Sequence, residues 1–120
     1  MPVEDAFSAY YDTLHSEEDN AGQAAPDPFM EQLVQGTINN LADLDSKITA
    51  KASHWRIERM PVVDRNVLRL AVYEMVKLGT PRAVVIDEAI ELARQFSGDE
   101  SVAFVNGVLD AVRKDLPPEP

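Results

Sequence analysis

Cysteine is absent from the 120 residues, which excludes disulfides, thiolate metal sites and cysteine nucleophiles together. Histidine occurs only at His15 and His54, and neither stands at metal-ligand spacing from an acidic cluster. No Gly-rich phosphate loop, HExxH, GxSxG or EF-hand loop is present. Glu88 and Glu91 could share a helix face, but the Glu-x-x-His motif that a dicarboxylate site in a helical bundle recruits is missing. Ser101 has no matched base. No enzyme chemistry and no cofactor is expected. No apolar run approaches the roughly 18 residues of a membrane span, and the amino terminus has no basic-then-apolar leader, so a soluble, cytoplasmic protein is expected.

Positive charge is also scarce. Eleven Lys and Arg face 21 Asp and Glu, for a net charge of −10, which argues against the whole surface being a nucleic-acid footprint. The imbalance is uneven along the chain. Residues 1–46 hold ten acids and no Lys or Arg, residues 47–82 hold eight bases against three acids, and residues 83–120 hold eight acids against three bases. An anionic partner would therefore meet the middle third and be repelled elsewhere.

What is present is helical periodicity. Val3, Phe7, Tyr10, Tyr11 and Leu14 recur at spacings of three and four, which predicts a helix over 3–14. Residues 16–26 are small and acidic and read as a flexible connection. Asp27-Pro28 supplies an N-cap and a first-turn proline for a helix of about 17 residues carrying Phe29, Leu33, Ile38, Leu41 and Leu44. Gly36 inside it weakens the helix by up to about 1 kcal/mol and points to close packing. Asp45-Ser46 starts the next helix, with Ile48, Ala52 and Trp55, and Met60-Pro61 breaks the pattern. Val63 to Leu78 is the most apolar segment and is expected to be central, ending at Gly79. A helix over 82–96 turns Val85, Ile86, Ala89, Ile90, Ala93 and Phe96 inward. A last one over 100–116 buries Val105, Val108, Leu109 and Val112 before Pro117-Pro118 stops it. No alternating strand pattern or hairpin signal exceeds four or five residues. The fold class is all-α: one bundle of five to six helices over 1–116, with a Pro-rich tail at 117–120.

The basic middle combines Lys47, Lys51, His54, Arg56, Arg59, Arg65 and Arg69 with Trp55. Cations beside an aromatic suit a flexible single strand, whose phosphates meet Lys or Arg while its bases stack on rings. The same residues also suit a solvated polar face around a core tryptophan.

Three runs carry a family resemblance. Pro61-Val62-Val63-Asp64-Arg65-Asn66-Val67-Leu68-Arg69-Leu70-Ala71-Val72-Tyr73-Glu74-Met75 resembles the central helix of the NusB family of transcription antitermination factors. Val85 to Ala93 and Phe104-Val105-Asn106-Gly107-Val108-Leu109-Asp110 follow in the family's order and spacing, and Trp55 to Arg59 is similar to its preceding turn. Gly107 inside a helix is locally unfavourable, and close approach of a neighbouring helix would explain it, with Asn106 bonding a backbone group nearby.

The resemblance implies a small all-helical protein that joins ribosomal protein NusE and binds the boxA segment of nascent RNA in the RNA polymerase antitermination complex, without catalysis. It places RNA-binding positions at Asp64, Glu100 and Phe104, with Ala52 where an aromatic is sometimes found; the composition adds Lys51, Trp55, Arg56, Arg59 and Arg65 as the expected positive face. Two departures stand out: the family's Arg-rich first helix has no counterpart ahead of residues 3–14, and Ala103 stands where a basic residue is common. If about five large side chains of such a helix once filled a groove, at roughly 1.5–3 kcal/mol each, its loss would rival the stability of a small domain. A longer natural chain, a homodimer, or a shifted 3–14 helix would then cover the groove. Two other functions remain open at this point: a protein-interaction module with little RNA affinity, and an appendage of a ribosomal RNA cytosine methyltransferase.

Overall fold

A computed structural model of the chain describes residues 28–52 and 56–119. The expected helix over 3–14, the connection at 16–26, and His54 with Trp55 lie outside the described residues. Five α-helices make up the described fold: α1 Pro28–Asn39, α2 Leu41–Lys51, α3 Val62–Tyr73, α4 Arg82–Phe96 and α5 Asp99–Asp115. A 3₁₀ turn spans Ile57–Arg59, and α3 runs on into a wider π turn at Glu74–Leu78. No strand occurs among the described residues.

The break between α1 and α2 falls at Asn40 and not at Asp45, where the sequence put it. In a continuing helix the Asn40 backbone N–H would donate to the Gly36 carbonyl. Instead the Asn40 side-chain amide takes that carbonyl at 2.7 Å, and the backbone N–H turns to Thr37 O at 3.2 Å. A side chain has outcompeted the backbone for its acceptor, and the helix stops. Leu44 and Ile48 consequently sit on one helix, four residues apart and both fully buried.

The central position of α3 is borne out. Val67, Leu68, Leu70, Ala71, Val72 and Tyr73 are all buried, as no single stripe could be. Gly36 of α1 explains itself here: a Cβ built on it would lie 2.1 Å from the ring of Tyr73, so only hydrogen lets α1 and α3 approach this closely. Arg69 of α3 makes a bidentate ion pair with Asp45 of α2, both bonds at 2.7 Å, and donates a third to Asn66 Oδ1 at 3.1 Å. The pair is half-buried and geometrically constrained, which makes it a stronger tie than an exposed one.

Gly79, with φ of 70°, ends the π turn in the left-handed conformation the sequence anticipated. The α4–α5 hairpin then packs on α3, turning Val85, Ala89, Leu92 and Ala93 inward from α4 and Val105, Val108, Leu109 and Val112 from α5. Three expectations are corrected. Phe29 and Phe96, assigned to apolar stripes, lie at helix ends and are 36% and 44% exposed. Gly107 meets no neighbour: a Cβ there would find nothing within 4 Å, and both it and Asn106 face outward. The apolar period shows which face is buried; it cannot show whether a second helix crosses the opposite face.

Candidate nucleic-acid interface

Two helix beginnings meet at one end of the bundle. Pro61 precedes α3 in an extended conformation, fixed by its ring and unfavourable to helix in the residue before it, so the helix starts at Val62. Asp64 is the third residue of α3, and Ser101 is the third residue of α5. The Ser101 hydroxyl donates to Asp64 Oδ2 at 2.8 Å, joining the two first turns. Asp64 is only 2% exposed, and its other oxygen, Oδ1, is buried without a hydrogen-bond partner. Carboxylates are favoured at helix N-termini, where the backbone dipoles leave positive charge, and Asp99 and Glu100 follow the same rule on α5.

A pocket of about 220 Å³ opens at this junction, lined by Pro61, Asp64, Glu100, Ser101 and Phe104. Phe104 lies one turn beyond Glu100 and Ser101 on α5, half-buried, with its ring packed against the core. The three positions given by the resemblance, Asp64, Glu100 and Phe104, are thus brought together from 36 to 40 residues apart in the sequence. Pro61 and Ser101 complete the pocket and were not anticipated. Ser101 was weighed only as a nucleophile. A serine in the first turn of a helix is ordinary, and nothing local says that its hydroxyl reaches a carboxylate 37 residues earlier.

Six of the eleven Lys and Arg are paired, and five, Lys77 and Arg82 among them, form no ion pair with another described residue. Lys47 pairs with Asp43, Lys51 with Asp115, Arg69 with Asp45, Arg94 with Glu91, and Arg113 and Lys114 with Asp110. Arg56, Arg59 and Arg65 form no ion pair with another described residue. Arg56 and Arg59 are exposed on the segment leading into Pro61, while Arg65 is half-buried beside Asp64 with its Nε unpartnered. These unneutralised charges flank, in sequence, the residues that open the pocket. Lys51 does not join them: its ammonium lies 2.6 Å from the Asp115 carboxylate, at the opposite end of α5 from Glu100, roughly 22 Å along the helix. Trp55 lies outside the described residues.

Fold and site together define an all-helical protein with an aromatic, carboxylate-lined pocket, next in sequence to arginines that pair with no described acid. The chain belongs to the NusB family, whose model matches residues 1–114. It is 63% identical over 117 residues to the transcription antitermination protein NusB of Solibacter usitatus (strain Ellin6076), a match covering 98% of this chain and 77% of that protein. Among solved structures, T. maritima NusB superposes with a TM-score of 0.75 at 30% identity, covering 98% of this chain and 94% of that one. A structure of antitermination factors NusB and NusE in complex with double-stranded RNA matches with a TM-score of 0.73 at 27% identity, covering 95% and 94%. Among the described residues no helix is long and apolar enough to cross a membrane.

Proposed function

We propose that this chain is a transcription antitermination factor that binds boxA-type RNA together with ribosomal protein NusE, as part of an RNA polymerase antitermination complex in the cytoplasm, by binding and without catalysis. The observation that carries the RNA half is the pairing of the pocket with Arg56, Arg59 and Arg65. In a protein of net charge −10, six of the eleven Lys and Arg are paired with nearby acids, whereas these three, like Lys77 and Arg82, form no ion pair with a described acid, and these three lie next in sequence to Pro61 and Asp64 of the pocket. RNA offers two chemistries, and the surface answers each separately. Phosphates suit the free guanidinium groups, which match their oxygens in a planar fork. Phosphates do not suit the pocket, whose Asp64 and Glu100 repel them; a base does, because its amino groups donate to carboxylates and its face packs on an aromatic ring such as Phe104.

Filter binding of a boxA-type RNA, with and without NusE and across a salt series, tests this. We expect a retained complex that weakens with salt. Reversing both charges, Arg56→Glu with Arg59→Glu, should weaken binding about equally for all RNA sequences. It should also flatten the salt slope by about two units, one for each phosphate that no longer meets a guanidinium. Unchanged affinity in the double variant would reduce the patch to a solvated face. Capture of NusE with no RNA retained even at low salt would leave a protein-interaction module.

A further inference from the structure

We propose that residues 116–119 form a salt-sensitive strap: Glu119 supplies the cap that the beginning of α4 lacks, and the strap decides whether the positive end of α4 and the Arg82 guanidinium are covered or displayed.

The first turn of α4 is poorly provided by its own sequence. An α-helix leaves its first N–H groups without intrahelical acceptors, and an N-cap side chain or a first-turn acid ordinarily complements them. The residue before α4 is Pro81, whose side chain accepts nothing, and no acid stands in the first turn. The N–H groups of Val84 and Val85 both donate to the Pro81 carbonyl at 3.1 Å, which leaves those of Arg82 and Ala83. The Arg82 N–H donates to Glu119 Oε2 at 3.1 Å, 37 residues further on, and Ala83 has no acceptor among the described residues. The Arg82 guanidinium turns to the same tail, its Nη2 donating to the Pro117 carbonyl oxygen at 2.5 Å. One residue thus holds the tail at two points.

The tail is built to make this crossing. In the α4–α5 hairpin the end of α5 lies beside the start of α4. Leu116 leaves α5 in an extended conformation, with its side chain packed against the core. Pro117 and Pro118 then keep the chain extended, at roughly 3 Å per residue, so Glu119 arrives about 9 Å beyond Leu116. Prolines have little backbone freedom to lose when the strap closes. The contact is exposed, and the attraction of a carboxylate to a helix N-terminus weakens with salt. Release bares the end of α4 and Arg82 together, on a part of the chain where residues 83–120 hold eight acids against three bases.

Hydrogen exchange followed by NMR on the full 120-residue chain reads the strap amide by amide. It needs neither RNA nor NusE, so its outcome is separate from the RNA-binding reading. At low salt we expect the Arg82 amide to exchange about fivefold more slowly in the parent than in Glu119→Ala, the scale of one helix cap. The Leu70 amide in α3 should be the same in both. In about 1 M salt, where the screening length falls to about 3 Å, the Arg82 difference should largely disappear. Glu119→Gln keeps an acceptor without the charge, and should lie between the two and ignore salt. Glycine at both 117 and 118 keeps the carboxylate but loosens the strap, and should approach Glu119→Ala. Ala83 is the internal control: a carboxylate acting only through its field slows Arg82 and Ala83 alike, whereas a cap slows Arg82 alone. Equal Arg82 rates in the parent and Glu119→Ala at low salt, or equal slowing of Arg82 and Ala83, overturn the proposal.

Discussion

Single atoms decide the closest approaches in this protein. At Gly36 the clearance is one hydrogen: a methyl group would stand 2.1 Å from both the Cζ and the hydroxyl oxygen of Tyr73, itself buried. Ala is otherwise the better helix former by about 1 kcal/mol. Forcing the ring aside in a packed core costs about 1–3 kcal/mol, and we expect the steric term to win. Gly36→Ala should lower the urea midpoint, by a net loss of about 1 kcal/mol. In a Tyr73→Leu background, which lacks the ring's outer atoms, the same substitution should become neutral or stabilising. A double-mutant cycle in chemical denaturation would show this reversal of sign. The glycine was legible in the sequence as a sign of close packing; that its partner is Tyr73 was not, because the two residues are 37 positions apart.

Elements are bounded by backbone competition and exposed on faces that periodicity cannot describe. Asn40 ends α1 because its amide replaces its own N–H at the Gly36 carbonyl. The sequence carries the signal as Asn39-Asn40, but the apolar stripe runs across the break, since Leu33 and Leu44 on either side of it are both fully buried. On α5 the situation is the opposite of that at Gly36. Gly107 is helical, exposed and surrounded by open space. Replacing it by alanine costs nothing sterically and removes backbone freedom from the unfolded chain. Gly107→Ala should therefore stabilise the isolated chain by about 1 kcal/mol, seen as a higher urea midpoint with an unchanged slope. A loss of stability would mean that a neighbour covers this face.

At the scale of the whole molecule, the excess of acid has a pH signature. Glu88 on α4 has its carboxyl held above the ordinary glutamate range, first by partial burial and then by the charges of Glu74, Asp87 and Glu91. A raised carboxyl keeps its proton in the folded chain at pH values where the unfolded chain has lost it. Stability supplied by the protonated group is therefore present at low pH and lost as pH rises from the ordinary glutamate value through the raised one. Glu88→Gln should melt slightly higher than the parent at pH 7, by on the order of 0.3 kcal/mol after solvent screening. The difference should vanish below the ordinary glutamate range and shrink with added salt. Calorimetric scans at two pH values and two salt concentrations check it. Equal gains at all pH values would assign the effect to packing instead of charge.

By itself the sequence determined the helical class, the central helix, the inward faces of α4 and α5 and the basic middle third, because each of these is local: periods of three and four, prolines and glycines at helix ends, and counts of charge. The family resemblance located Asp64, Glu100 and Phe104. Only the tertiary structure decided that these three share a pocket, that Ser101 donates to one oxygen of Asp64, and that Lys51 pairs with Asp115 while Arg56, Arg59 and Arg65 pair with no described acid. Those outcomes depend on which helix beginnings are packed side by side. Residues 36 or more positions apart meet there through the fold, and no pattern along the chain records the distance between them.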